Sequence, residues 1–147
     1  MTNELKKTIK ESIDLKKKIF KQHKNINECI SLIYKTIKNK KKVLRCGNGG
    51  SAADAQHLAA EFLIRLRPNI ERESWPVISL TLDTSTLTAC GNDYSFNKIF
   101  SRPLSGIGNE GDLLLTISTS GNSKNLIQAH KVARVKKINI ISFLGKG

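Results

Sequence analysis

The sequence has few of the features that would assign it to a secreted, membrane or metal-thiolate class. Its three cysteines, Cys29, Cys46 and Cys90, are odd in number and have no motif spacing, so we expect reduced, buried thiols. The longest apolar stretch, Ile138 to Leu144, is far shorter than the roughly 20 residues that a membrane span requires. The start of the chain also lacks the basic-then-apolar pattern of a secretory signal. We therefore expect a cytoplasmic protein that does not enter a membrane.

Acidic residues are scarce as well, since 12 Asp and Glu stand against 25 Lys and Arg, for a formal net charge of +13. The imbalance is local, because residues 1 to 45 hold fourteen of the basic residues and only four of the acidic ones. The excess is nearly all lysine, and aromatic residues make up only 5% of the chain. A surface that reads or stacks bases would use arginine and aromatic side chains. The pattern therefore favours a solvated lysine face over a nucleic-acid interface.

Two polar loops rich in glycine and serine are the most informative feature that is present. They cover Cys46 to Ser51 and Ser118 to Ser123, and each lies between an apolar run and a helical pattern. Glycine lets the backbone approach a ligand closely, and the free amides at the start of a helix favour an anion. Neither loop has the Walker spacing or the glycine spacing of the dinucleotide fingerprint. The loops therefore predict a phosphorylated metabolite as ligand rather than a nucleotide.

Residues 1–42 are predicted to form a pair of helices, over about 4–21 and 26–39. Apolar residues recur there at helical spacing, and they are Leu5, Ile9, Ile13 and Phe20 in the first helix and Ile26, Ile30, Ile33 and Ile37 in the second. Lysines separate them. We expect these apolar stripes to pack against the core or against a partner subunit of a homo-oligomer.

From residue 43 onward, predicted strands alternate with predicted helices. The strands are Val43 to Cys46, Val77 to Leu82, Leu113 to Ser118 and Ile138 to Leu144. Helices are predicted over 51–67, from about 85, and over 123–136, with an irregular or broken helix over 92–108 that contains Pro103. This alternation predicts parallel pairing with right-handed crossovers, and hence a flavodoxin-like three-layer α/β sandwich. In the strand order 2-1-3-4 the two polar loops follow neighbouring strands and meet at one crevice.

The helix after the first loop carries a histidine and a carboxylate on one face. His57 and Glu61 are four residues apart, so together they could bind a divalent metal or transfer protons, and an ordinary surface pair is the alternative. Asn92 and Asp93 follow the second strand and could reach a ligand at the same sheet edge, although a turn is equally compatible. In the second loop, a helix cap would explain one or two of the hydroxyls, and an anion site would use all of them.

Four motifs in order resemble the phosphoheptose isomerases of the sugar isomerase (SIS) superfamily. The longest is Cys-Gly-Asn-Gly-Gly-Ser-Ala-Ala-Asp-Ala-Gln-His-Leu-Ala-Ala-Glu at 46–61, and the others are Cys90 to Asp93, Phe100 to Arg102 and Ile117 to Ser123. The resemblance covers essentially the whole chain. It implies isomerisation of sedoheptulose 7-phosphate to D-glycero-D-manno-heptose 7-phosphate, a step toward the heptoses of lipopolysaccharide or capsule, by a cytoplasmic homotetramer.

The resemblance also assigns roles to the residues of the motifs. Glu61 would be the base that moves a proton between C1 and C2 through an enediol, and His57 and Glu61 would form half of a zinc site. Four hydroxyl side chains would hold the phosphate, namely those of Ser118, Thr119, Ser120 and Ser123. The remaining substrate contacts would come from Asn48, Gly49, Gly50, Ser51, Asn92 and Asp93.

The sequence departs from the family at its C-terminus. Family members continue past the equivalent of Gly147 with a strand and a long helix, which carry a glutamine and a histidine that complete the metal site and supply an acid. Neither is present here, and His23 and His130 do not occupy that position. We therefore expect residues 43–147 to form an SIS domain without its last strand and helix. The alternative function is a non-catalytic SIS module that binds a phosphosugar or docks on a partner such as a replication initiator, and a nucleic-acid-binding protein is a third.

Overall fold

The computed structural model describes residues 2–145, so Lys146 and Gly147, which end the predicted SIS region, lie outside the described residues. The helices are α1 (Asn3–Ile19), α2 (His23–Lys38), α3 (Gly50–Leu63), α4 (Thr84–Asp93), α5 (Ser101–Ile107) and α6 (Lys124–Val135), and the strands are β1 (Val43–Gly47), β2 (Val77–Ser79), β3 (Leu113–Ser118) and β4 (Asn139–Leu144). In the part of the chain that is described, no helix combines the length and the apolar character of a membrane span.

The chain divides into two compact units, of which the first, Met1–Tyr34, is helical. The Thr2 hydroxyl caps α1 by accepting a hydrogen bond of 3.3 Å from the Leu5 amide. A single 3-10 turn, Phe20–Gln22, separates α1 from α2. The two helices are therefore joined more closely than the prediction, which left residues 22–25 between them. None of the residues of α1, all of which are described, is buried. The apolar stripe formed by residues at helical spacing is therefore exposed, and Phe20, which follows α1, has 79% of its maximal accessible surface exposed.

The second unit, Lys35–Gly147, contains a four-stranded sheet in the order β2-β1-β3-β4. All three strand pairs are parallel, so both the strand order and the parallel pairing are as predicted. Gly47 at the end of β1 pairs with Ile117 near the end of β3. The two polar loops therefore leave the same edge of the sheet from neighbouring strands.

Helices cover both faces of this sheet, because right-handed crossovers that run in opposite directions from the centre place helices on opposite sides. α3 contacts β1, β2 and β3, whereas α6 packs against β3, β4 and α5. The core beneath α4, α5 and α6 contains buried strand and helix side chains, namely Leu44, Cys46, Leu80, Cys90, Ile99, Phe100, Leu104, Leu114, Leu126, Ala129, Ala133 and Ile138. The predicted three-layer α/β sandwich is confirmed.

Two predicted elements are shorter than expected. β2 ends at Ser79, where the hydroxyls of Ser79 and Thr81 bond at 2.7 Å and the Thr81 amide donates to the Ser79 hydroxyl. Such side-chain bonds compete with the strand ladder. α3 ends at Leu63, and Arg72 donates to the Glu61 carbonyl at 2.6 Å, which satisfies one of the free carbonyls of its last turn.

The segment after β2 is a broken helix, as predicted. α4 ends at Asp93, a 3-10 turn covers Phe96–Lys98, and α5 follows. Pro103 is the third residue of α5, where the missing amide hydrogen costs nothing because the first-turn amides have no partner within the helix.

All three cysteines are free thiols, and Cys46 and Cys90 are buried as predicted, whereas Cys29 is only half-buried. Burial raises the pKa of the Cys46 thiol to about 12. Cys46 therefore acts as a small apolar residue at the end of β1.

Candidate functional site

The two polar loops enclose a small cavity at the carboxyl edge of the sheet. Its volume is about 40 Å³, and it is lined by Asn48, Ser51, Ile117, Ser118, Thr119 and Ser123. Residues from both loops thus face one space, as the predicted strand order requires.

The first loop turns sharply into α3. Gly49 precedes the helix with a φ of +55°, a conformation that favours glycine, and the Ser51 amide donates to the Asn48 carbonyl at 3.0 Å. A Cβ at Gly47 would lie 2.7 Å from the carbonyl oxygen of Ser51, so only glycine allows this close approach. The free amides and the positive dipole end of α3 therefore lie beside the cavity.

The hydroxyl groups of the second loop differ in their contacts and in whether they line the cavity. The buried Ser118 hydroxyl accepts from the Gly121 amide at 3.0 Å, which leaves its own O–H available as a donor. Ser123 is the N-cap of α6, and its carbonyl accepts from the Leu126 amide at 3.1 Å. Ser120 is exposed, accepts from the Asn122 amide, and does not line the cavity. Three of the four predicted phosphate-binding hydroxyls therefore line the cavity.

A pair of asparagines joins the two loops behind the cavity. The Asn48 amide nitrogen donates to Asn125 Oδ1 at 3.0 Å, and the Asn125 amide nitrogen donates to Asn48 Oδ1 at 2.8 Å. Asn125 is only 2% exposed, and its Oδ1 also accepts from the Leu126 amide at 2.9 Å. The sequence prediction does not include Asn125, and the only signal for it is an amide in the first turn of a helix, two residues after the Ser123 cap.

His57 and Glu61 form the predicted pair on α3. His57 Nε2 lies 3.0 Å from Glu61 Oε1, with the imidazole 74% and the carboxylate 23% exposed. At the usual helical rise they lie roughly 10 and 16 Å along α3 from Gly50, where the helix begins beside the cavity between the loops. The pair is therefore held by the helix that starts at the first loop, but at a distance from it.

Glu61 borders a second, larger cavity of about 260 Å³ at the C-terminal end of α3. Its lining is both apolar and basic, and consists of Leu58, Glu61, Phe62, Arg65, Leu66, Arg67, Ile70, Arg72 and Trp75. Arg72 stacks over the Trp75 ring at 4.5 Å. The sequence prediction does not include this basic surround, for which three arginines between residues 65 and 72 are the only signal.

The described residues do not supply a complete set of ligands for a metal ion. Structural and catalytic zinc ions take three or four protein ligands, and no group of three or more His, Cys, Asp or Glu side chains that could hold a metal occurs within residues 2–145. His57 and Glu61 are two candidate ligands.

The structure does not bring Asn92 and Asp93 to the cavity between the loops. Both are exposed residues in the last turn of α4, where Asn92 Nδ2 donates to Asp93 Oδ1 at 2.9 Å. α4 begins at Thr84 near the carboxyl edge and carries the chain about 15 Å onward over its ten residues. Neither residue lines that cavity, and a substrate contact from them stays a prediction.

Comparisons with known proteins give one consistent family. The SIS domain model matches residues 9–145. The phosphoheptose isomerase of Clostridium acetobutylicum is 48% identical, with 99% of this chain and 75% of that protein covered, and that of Campylobacter concisus is 48% identical, with 97% and 77% covered.

Solved structures agree with the sequence relatives. The phosphoheptose isomerase of Neisseria gonorrhoeae superposes with a TM-score of 0.89 at 39% identity, over 97% of this chain and 76% of that one. The phosphoheptose isomerase of Francisella tularensis gives 0.87 at 33% identity, over 98% and 75%. The chain belongs to the phosphoheptose isomerase family, the SIS-domain aldose–ketose isomerases.

Proposed function

We propose that this chain isomerises sedoheptulose 7-phosphate to D-glycero-D-manno-heptose 7-phosphate in bacterial heptose biosynthesis. The observation that carries the proposal is the cavity at which Ser118, Thr119 and Ser123 meet the start of α3, the helix that also bears Glu61. The family to which the chain belongs supports the choice of reaction.

The phosphate would bind in the cavity between the two loops. Hydroxyl and backbone donors without a lysine suit a phosphomonoester, and hydrogen bonds to a charged acceptor are stronger than neutral ones. In a 7-phosphate the anion and the reacting carbons C1 and C2 lie at opposite ends of the sugar. The loops and Glu61 likewise lie at different points along α3.

Glu61 would act as the base. Its carboxylate would remove a proton from C1 of the ketose, so that the C1–H electron pair forms the C1–C2 double bond of an enediol and the C2 carbonyl oxygen takes up a proton. Return of a proton to C2 and loss of the O1 proton then give the aldehyde. His57, 3.0 Å from Glu61, would hold the carboxylate in place or share its proton.

The same proposal includes a bound zinc ion and assembly of several copies of the chain. His57 and Glu61 would supply two ligands to a zinc ion, which would polarise the carbonyl when bound. The exposed apolar stripe of α1 would pack against other copies in a cytoplasmic homotetramer, because several side chains of this size rarely stay in water together.

A non-catalytic SIS module is the alternative, and the comparisons do not favour it. A module that only senses a phosphosugar needs the loops but not a carboxylate beside an imidazole on α3. The His57–Glu61 pair at 3.0 Å therefore supports the enzyme.

The test is incubation with sedoheptulose 7-phosphate in deuterium oxide, with the product and its label at C2 followed by NMR. We expect conversion by the wild-type chain and a loss of at least a hundredfold in Glu61→Gln, the range that general bases supply. Glu110→Gln is the control, since Glu110 is an exposed carboxylate on the loop before β3. Equal rates in Glu61→Gln and the wild type would exclude Glu61 as the base. Phosphosugar binding without any conversion would support the module.

A further inference from the structure

We propose that Asn125 is a positioning residue for phosphosugar binding, which fixes the Asn48 carboxamide and thereby locks the two loops into one site. Asn48 lines the cavity, whereas Asn125 lies behind it and does not. The proposal deepens the proposed function and rests on it for the identity of the sugar.

The orientation of the pair is set from the α6 side. The Leu126 amide donates to Asn125 Oδ1, so the Asn125 NH₂ group must point to the other partner, Asn48 Oδ1. Asn48 then returns one N–H to Asn125 Oδ1. Neither carboxamide can flip without placing two donors or two acceptors against each other.

This arrangement leaves a defined donor for the ligand. An asparagine carboxamide has two N–H donors, and one of those on Asn48 is used by Asn125. Among residues 2–145 the second has no protein acceptor, and its residue borders the cavity that Ser118 and Ser123 line. Asn125 therefore presents the Asn48 donor to an anionic or polyol ligand in a single orientation.

The pair also couples two distant parts of the chain. The residues are 77 positions apart, one before α3 and one in the first turn of α6. Because Asn125 is 2% exposed, its two bonds to Asn48 are shielded from competing water. The loop that begins the Glu61 helix and the loop that carries the serine hydroxyls are thus held in one register.

The experiment measures binding of inorganic phosphate and of sedoheptulose 7-phosphate by calorimetry, with kcat and KM measured alongside. We expect Asn125→Ala to weaken binding of both ligands and to raise KM about tenfold. The Asn48 carboxamide would lose the contact that orients it, and that loss corresponds to about one hydrogen bond to the ligand. Asn122→Ala is the control, an exposed asparagine in the same loop, and it should bind like the wild type. Wild-type affinity in Asn125→Ala would overturn the proposal.

A double variant separates positioning from general loss of structure. If Asn125 acts through Asn48, then adding Asn48→Ala to Asn125→Ala causes no further loss of phosphate binding, whereas independent effects would add and would overturn the proposal.

If Asn125→Ala does not fold, the Asn125→Asp variant takes its place in the binding measurement. Its carboxylate cannot donate to Asn48 Oδ1 at neutral pH, and protonation at lower pH restores a donor. We expect its affinity relative to the wild type to recover as the pH falls, and a constant ratio would overturn the proposal. If the wild-type chain binds phosphate but does not convert the sugar, the proposed function is refuted. The proposal for Asn125 can still be tested then, because phosphate binding does not depend on turnover.

Discussion

Lys42 Nζ lies 2.6 Å from the Oδ2 atom of Asp112, a carboxylate that is 1% exposed. The Lys42 amide also donates to Asp112 Oδ1 at 3.1 Å, and the Asn109 amide donates to Oδ2 at 2.8 Å. The carboxylate thus receives three donors at the point where β1 and β3 begin.

Asp112→Ala should lower the free energy of unfolding by about 3 kcal/mol, because it removes one partner of a largely buried ion pair and leaves two amides without acceptors. Glu110→Ala is the matched control. Its pair with Lys137, at 3.3 Å, is about 70% exposed on both sides and should contribute less than about 0.5 kcal/mol. Urea unfolding followed by circular dichroism measures both, and equal losses would contradict the ranking.

Arg45 should behave in the opposite way. Its side chain is 2% exposed on β1, its Nε is without a partner among the described residues, and burial lowers its pKa to about 10 against an opposing effect of Asp54. Arg45→Met should therefore leave the protein as stable or stabilise it by about 1 to 2 kcal/mol. The exposed Arg102, which stacks on Tyr94 at 4.8 Å, is the control, and Arg102→Met should lose about 0.5 kcal/mol. Marked destabilisation by Arg45→Met in urea would reveal a partner for the guanidinium.

Gly47→Ala should disrupt the first loop, since the new methyl group would lie 2.7 Å from the Ser51 carbonyl oxygen and the backbone would have to move. We expect a loss of about 1 to 3 kcal/mol in stability, as in overpacked cores, together with weaker phosphate binding. Gly91→Ala on α4 is the control, because nothing lies within 4 Å of its added Cβ and alanine favours a helix. Thermal unfolding and phosphate calorimetry on both variants check this, and unchanged binding in Gly47→Ala would contradict it.

Ser123→Ala should weaken phosphosugar binding more than Ser120→Ala does. Ser123 lines the cavity, whereas the exposed Ser120 does not. Loss of one hydroxyl donor to a charged acceptor costs about 1 to 2 kcal/mol. Calorimetry with sedoheptulose 7-phosphate gives the comparison. Equal losses would mean that Ser120 turns toward the ligand when it binds.

His130 should make the stability depend on pH. Burial, and then the charge of Arg134, lower its pKa in the folded chain, where Nε2 lies 3.0 Å from the Thr116 hydroxyl. As the pH falls, His130 takes up its proton first in the unfolded chain, at a pH of about 6.5. The free energy of unfolding is therefore highest above that pH and decreases as the pH falls toward the lowered pKa of the folded chain.

His130→Gln should remove this contribution to the pH dependence, and Arg134→Gln should shrink it by returning the pKa toward its ordinary value. Urea midpoints measured from pH 7.5 to pH 5 provide the readout. An undiminished slope in His130→Gln would assign the effect to other groups.

The sheet order could be predicted from the sequence because it depends on short-range signals. Each strand is an apolar run, each is followed by a turn signal, and right-handed crossovers leave few orders open. The bounds of β3 (Leu113–Ser118) were predicted correctly, because all its residues except Ile117 are buried and it ends at a loop of serine and glycine.

The rest depends on contacts that no local pattern contains. Asn125 bonds to a residue 77 positions away, and the Glu61 carbonyl in the last turn of α3 accepts from Arg72, eleven positions on. Asn92 and Asp93 follow β2 in sequence, but they lie in the last turn of α4, and the order of the elements alone does not reveal how long that helix is.

The close approach at Gly47 has an evolutionary consequence. Because a side chain there would meet the backbone of Ser51 before any ligand enters, the first glycine of the loop is required by the fold itself. A descendant that lost the reaction but kept the fold would still keep that glycine. Glu61, the proposed base, and Ser123, a proposed phosphate ligand, would change sooner, because no such packing constraint protects them.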